Sequence, residues 1–119
     1  MDRKEAGNAA EDRALAYLQK AGLKLVARNY RCRVGEIDLV MLEGQTLVLV
    51  EVRYRSSMLY GGATASITWR KQQRIINAAR HLLATRGDLR RYPARFDVIG
   101  ISSLESKQVE WIRGAFETR

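Results

Sequence analysis

From Gly35 to Arg53 the chain reads GEIDLVMLEGQTLVLVEVR, with apolar residues alternating on either side of Glu43-Gly44. That pattern predicts two strands joined by a turn at this pair. A two- or four-residue connection sets Leu42 opposite Gln45, Glu36 opposite Glu51, and Asp38 opposite Leu49, one diagonal step from Glu51. Side chains alternate across a strand. Ile37, Leu39 and Met41 then share an apolar face with Val48, Val50 and Val52, and Glu36, Asp38, Glu51 and Arg53 share an acidic one. A three-residue loop or a bulge would break this parity.

The flanking segments change period. Between about Lys4 and Ala21, spacings of three and four put Gly7, Glu11, Ala14, Leu15, Leu18 and Ala21 on one stripe, which predicts a helix ended by Gly22. Leu23–Tyr30 reads as a strand. After Arg53, the run from Tyr54 to Gly62 has paired glycines and small polar residues, which predicts a mobile loop without either phosphate-binding glycine spacing. A second helix, capped by Ser66 or Thr68 and reaching about Arg86, aligns Lys71, Ile75, Ala78, Ala79, Leu82 and Leu83. Arg95–Ile101 is a strand in which Asp97 reads as structural, and Val109–Ile112 is a shorter strand at an edge. The fold class is therefore α/β: helix, three strands, helix and two strands, a mixed sheet covered by helices.

Composition narrows the classes of function. A chain of 119 residues with 46% apolar residues is sized for one domain with one core. No run approaches the roughly 18 apolar residues of a membrane span, and the start, MDRKEAGNAAEDR, lacks a secretory apolar region. The cytoplasm is the expected location. Cys32 and His81, each the only one of its kind, support neither an internal disulfide nor a zinc site. Lys and Arg number 21 against 13 acids, a net charge of +8. That excess points to a polyanionic partner, nucleic acid ahead of an anionic membrane.

Carboxylates crowded on a sheet need a partner: a divalent cation, an arginine or a bound proton. Their oxygens suit Mg²⁺ or Mn²⁺. Alternatively, Arg53 neutralises Glu51 or Glu36 in a salt bridge on a solvated face. Glu11 either pairs with a basic residue at the rim of its helix or faces the acidic side of the hairpin. Lys71 either snorkels or brings its ammonium to the acids or to a scissile phosphate. Arg31 and Arg33 after the first strand, Arg55 in the loop, and Arg70 and Arg74 beside Lys71 are candidate phosphate contacts. A solvated turn is the competing account of the first two.

The segments GNAAEDRALAYL, NYRCRVGEIDLV, LVLVEVRYRSS, WRKQQRIINAARHLL and RFDVIGI together resemble the YraN-type family of small bacterial proteins in the restriction-endonuclease-like PD-(D/E)XK nuclease superfamily. The resemblance covers nearly the whole chain in family order. It implies an α-β-β-β-α-β core and hydrolysis of DNA phosphodiesters with Mg²⁺ or Mn²⁺, on branched or junction DNA by analogy with resolvase-like members. It also assigns Asp38 to the motif aspartate, Glu51 to the acid of the E-X-K half-motif and Glu11 to the glutamate of the first helix. Asp38, Glu51 and the Val52 carbonyl would hold the metal. Arg53 stands where the motif has lysine, and an arginine keeps the charge but cannot act as a base, which leaves Lys71 as the candidate substitute. That departure also motivates a catalytically silent nucleic-acid-binding module, and beyond it a protein adaptor. A homodimer would suit a symmetric junction.

Overall fold

The computed structural model describes residues 2–54, 67–102 and 109–118. The first helix, α1 (Arg3–Lys20), starts where the Asp2 carboxylate accepts the Glu5 N–H at 2.8 Å. Gly22, at φ +100°, ends it, with its N–H on the Gln19 carbonyl and that of Leu23 on the Leu18 carbonyl. This pair of bonds is the Schellman stop, and it also buries Leu23 beside Leu18. The buried stripe is Ala10, Ala14 and Leu18, with Leu15 partly covered. Ala21 is a correction: as the C-cap it leaves the helical period and is exposed.

Three strands follow, β1 (Lys24–Cys32), β2 (Gly35–Glu43) and β3 (Thr46–Tyr54), then α2 (Trp69–Thr85). The Thr68 hydroxyl caps α2 by accepting the Lys71 N–H at 3.1 Å, so of the two cap candidates Thr68 is the one used. Beyond a short 3-10 turn, Gly87–Leu89, come β4 (Ala94–Ile101) and β5 (Val109–Phe116). The sheet order is β1-β2-β3-β4-β5, with neighbours antiparallel except β3 and β4, which run parallel. A helical crossover through α2 is what parallel neighbours require. The expected α-β-β-β-α-β order with a further strand is thus the observed one. β5 is longer than Val109–Ile112, because Phe116 stacks on Phe96 with ring centroids 5.0 Å apart.

The hairpin register differs from the expected one. Glu43 pairs with Thr46 and Leu39 with Val50, so the turn is Gly44-Gln45 and every pairing is displaced by two residues. Gly44 has φ +58°, as a two-residue hairpin loop of type II′ requires of its first central residue. A two-residue displacement preserves parity, so Glu51 still shares a face with Leu47 and Leu49.

The two helices cover opposite faces. Ala10, Ala14 and Leu18 of α1 pack with Leu39, Met41, Val48, Val50, Ile99 and Ile101. Ile75, Ile76, Ala79 and Leu82 of α2 pack with Val40, Leu47, Leu49 and Phe96. The hairpin therefore does not have one apolar and one acidic face: both faces are apolar along its length, and the charges gather at one end. Each large side chain buried this way contributes about 1.5–3 kcal/mol. Ile37 is a second correction, since it packs with the α2 cluster while Leu39, two residues on, packs with the α1 cluster. The inside–outside alternation of β2 breaks between them, at Asp38.

Candidate acidic site at the open end of the hairpin

The break at Asp38 coincides with the end of the ladder. Leu39–Val50 is the last pair between β2 and β3, and beyond it each strand pairs only with its outer neighbour, β1 or β4. The Val52 N–H is donated instead to Asp38 Oδ2 at 2.8 Å. A carboxylate has replaced a backbone carbonyl in the gap between the strands. There it interacts with groups from both sides of the sheet. Its charge raises the proton affinity of Glu11, from α1, and it is hydrogen-bonded to Glu51 on the α2 side.

Glu51 is buried at 6% exposure. Burial above all, then the hydrogen bond and charge of Asp38, push its carboxyl up to about 9, while Lys71 and Arg53 pull the other way. Two carboxylates in hydrogen-bond contact must share a proton or take a cation in its place. Lys71 Nζ lies 3.5 Å from Glu51 Oε2 and 3.5 Å from Glu36 Oε1. The snorkelling alternative is therefore set aside, because the ammonium reaches back to the acids. Arg31 approaches the other oxygen of Glu36 at 3.9 Å.

Glu11 is held in place by Arg28, whose Nε stands 3.2 Å from its Oε1 and whose Nη2 stands 2.7 Å from Asp12. Asn29 also hydrogen-bonds Glu11. Desolvation, then Asp38, raise the Glu11 carboxyl, and these two contacts lower it. Glu11 thus both pairs with a basic residue, at the rim, and adjoins the acids. Among the described residues no three acidic, histidine or cysteine side chains converge closely enough to cage an ion. The expected convergence of oxygens from three segments is reduced to a two-carboxylate pair, Asp38 and Glu51, with Glu11 outside it. Val52 meets Asp38 through its N–H.

Asn29 and Gly35 are positioning residues that periodicity does not reveal. Asn29 sits at φ +54° within β1, a conformation asparagine tolerates better than other side chains, and an asparagine inside a strand pattern is its only signal. Gly35 lies where α2 crosses the start of β2: a Cβ there would stand 1.9 Å from the Arg74 carbonyl oxygen. The missing side chain lets the two elements approach until Lys71 reaches Glu36 and Glu51.

Of the expected phosphate contacts, Arg31, Arg33, Arg70 and Arg74 are exposed, and Arg55 lies outside the described residues, as does the paired-glycine loop. Arg53 is half-buried. His81 is exposed and bonds the Tyr30 hydroxyl through Nδ1. A cavity of about 510 Å³ opens elsewhere, between α2, β4 and β5, over Ile76, Leu83, Phe96 and Phe116. None of the acidic-site residues lines it.

Residues 10–101 match the profile of the uncharacterised protein family UPF0102. The chain belongs to this family. A UPF0102 protein of Stutzerimonas stutzeri is 47% identical over 118 residues, covering 98% of both chains. One from Nitrosomonas europaea is 54% identical over 112 residues, covering 93% of this chain and 92% of its own. A third, from Legionella pneumophila, is 50% identical and covers 95% of each. The span matched to UPF0102 contains Glu11, Asp38, Glu51 and Lys71 and ends with β4. No helix among the described residues is long and apolar enough to cross a membrane.

Proposed function

We propose that this UPF0102 protein is a divalent-metal-dependent endonuclease of the restriction-endonuclease-like superfamily that hydrolyses DNA phosphodiesters, with branched or junction DNA as its preferred substrate. One observation carries the reading: a carboxylate pair of half-buried Asp38 and buried Glu51, with a lysine 3.5 Å from Glu51. The donor set fits Mg²⁺ or Mn²⁺. Both groups are hard oxygens, and a site that pushes a carboxyl up to about 9 holds a proton where a cation can replace it. Magnesium sites commonly use one or two carboxylates and complete their shell with water and phosphate oxygens.

A bound metal would supply Lewis acidity and a nucleophilic water. Asp38, fixed by the Val52 N–H, and Glu51 would hold it. Glu11, outside the pair, would orient water at its edge. Lys71 would offset charge building on the phosphate. Unlike Arg53, it can also give up a proton. Arg31, Arg33, Arg70 and Arg74 would carry the flanking phosphates.

The test is incubation of the purified protein with four-way junction, duplex and single-stranded DNA in Mg²⁺ or Mn²⁺. Cleavage that Asp38→Ala reduces by about a hundredfold or more supports the reading. If no substrate is cut, or Asp38→Ala cuts like wild type, the reading fails. One observation favours a silent DNA-binding module instead: Lys71 and Arg53 already place positive charge on Glu51. Calorimetry with Mn²⁺ separates the two, since the enzyme binds the ion through Asp38 and Glu51 and the silent module does not.

A further inference from the structure

Trp69, the first residue of α2, is 70% exposed, the most of any large apolar side chain described. Among the described residues no aromatic pairing involves it, whereas Tyr17, also exposed, is set edge-on against Trp111. Leaving an indole in water forgoes one of the largest burial gains a side chain offers. Its surroundings indicate what would cover it.

Successive helical residues turn by about 100°, so around the axis Arg70 lies about 100° from Trp69, Arg74 about 140° and Lys71 about 200°. The order around the helix is therefore Trp69, Arg70, Arg74, Lys71. Exposure follows that order, since Trp69, Arg70 and Arg74 face solvent and Lys71 turns to the sheet to meet Glu51. Two guanidinium groups thus connect the lysine at the acid pair to an uncovered indole about one helix width, roughly 10 Å, away. Cations followed by an aromatic plane suit a sugar–phosphate backbone that presents an unstacked base. Each base offers a π-face to an indole, and arginines track the phosphates.

We infer that Trp69 is a stacking platform for an unpaired nucleobase, reached along Arg70 and Arg74 from the acid pair, so that the protein engages single-stranded segments of nucleic acid in preference to continuous duplex. This rests on the proposed nuclease reading for its placement beside a scissile phosphate, but the binding itself needs no catalysis. A paired base is already stacked within its duplex, which is why the preference follows.

Binding is measured in EDTA, by indole fluorescence and anisotropy, with a labelled oligothymidine, the matched duplex and vesicles of anionic phospholipid. The expected result is quenching by the oligothymidine that disappears in Trp69→Phe, whose remaining indole, Trp111, serves as the internal reference. Trp69→Ala should weaken oligothymidine binding about tenfold or more and leave duplex binding within about twofold, with Trp69→Phe between wild type and Ala. Equal losses on both nucleic acids, no quenching, or vesicle binding in place of oligonucleotide binding would each overturn the inference. Cleavage with an indifferent Trp69→Ala would sink this inference and leave the nuclease standing. Trp69-dependent binding without cleavage in Mg²⁺ would do the reverse.

Discussion

Among the described residues two carboxylates are buried, Asp97 at 0% exposure and Glu51 at 6%, and their surroundings have little in common. Asp97 accepts from Arg95 Nε at 2.8 Å and Nη2 at 2.9 Å, from Trp111 Nε1 at 2.9 Å and from the Gly114 N–H at 3.0 Å. Arg95 passes on to Glu43 at 3.1 Å, which Arg113 meets at 2.8 Å while lying over the Trp111 ring. Every lone pair of Asp97 is used and its charge is cancelled by a bidentate arginine. Glu51 has a second acid as its hydrogen-bond partner, and a lysine that it shares with Glu36. The same burial thus serves two ends. Asp97 completes a framework joining β2, β4 and β5, and Glu51 keeps a high affinity for positive charge.

The sharpest way to break this contrast is Asp97→Ala. It strips four N–H donors, from three residues, of their acceptor and leaves the buried side of Arg95 uncompensated, at an expected cost of about 3–5 kcal/mol in urea denaturation. A cost below about 1 kcal/mol would show that the framework is dispensable.

Next in size is Gly35→Ala. Its methyl group would have to displace the Arg74 carbonyl, at an expected cost of about 2 kcal/mol. The damage should fall on one of the two sites only. Lys71 would be moved off Glu36 and Glu51, and under the proposed nuclease reading DNA cleavage would drop with it, while Trp111 fluorescence, which reports on the Asp97 framework, would stay unchanged when both proteins also carry Trp69→Phe. A shifted Trp111 signal would mean that the two sites are not independent.

The pH dependence follows from the sign of the Glu51 shift. Its folded carboxyl binds a proton more tightly than an unfolded glutamate, whose ordinary value is 4.5. The stability this provides is fully present below that value and is lost as the pH rises toward about 9. The slope is at most about 1.4 kcal/mol per pH unit. Glu51→Gln keeps the neutral shape and should flatten the profile, so that it overtakes wild type in alkaline buffer. Wild type and Glu51→Gln with superimposable profiles would contradict the assignment. The smallest effect is expected from Trp111→Phe, which withdraws one donor from Asp97 for about 1 kcal/mol.

Much of this was legible in the chain, for identifiable reasons. Strand alternation and helix stripes reflect burial directly, so element order and the α2 stripe could be read off the sequence. The register could not, because Glu43-Gly44 and Gly44-Gln45 are both acceptable turns and differ in whether the glycine takes the second or the first central position. The crossing of Ile37 to the other cluster was also hidden, since it comes from Asp38 entering the gap between strands, and alternation takes a regular ladder for granted. Asp97 could be classed as structural from its apolar neighbours, but its partners Trp111 and Gly114 lie on another strand and carry no local signal. Gly35 has no local signal of its role, which is set by a helix about forty residues later.

The bond from the Val52 amide to Asp38 has a consequence for how this chain can vary. A carboxylate tethered to main chain keeps its place whichever side chains surround it, provided the strand itself keeps its course. Val52 can exchange its isopropyl group for another apolar one, and Ile37 and Leu39 can trade volumes, without moving the acid. A proline at position 52, with no hydrogen to donate, would release it at once.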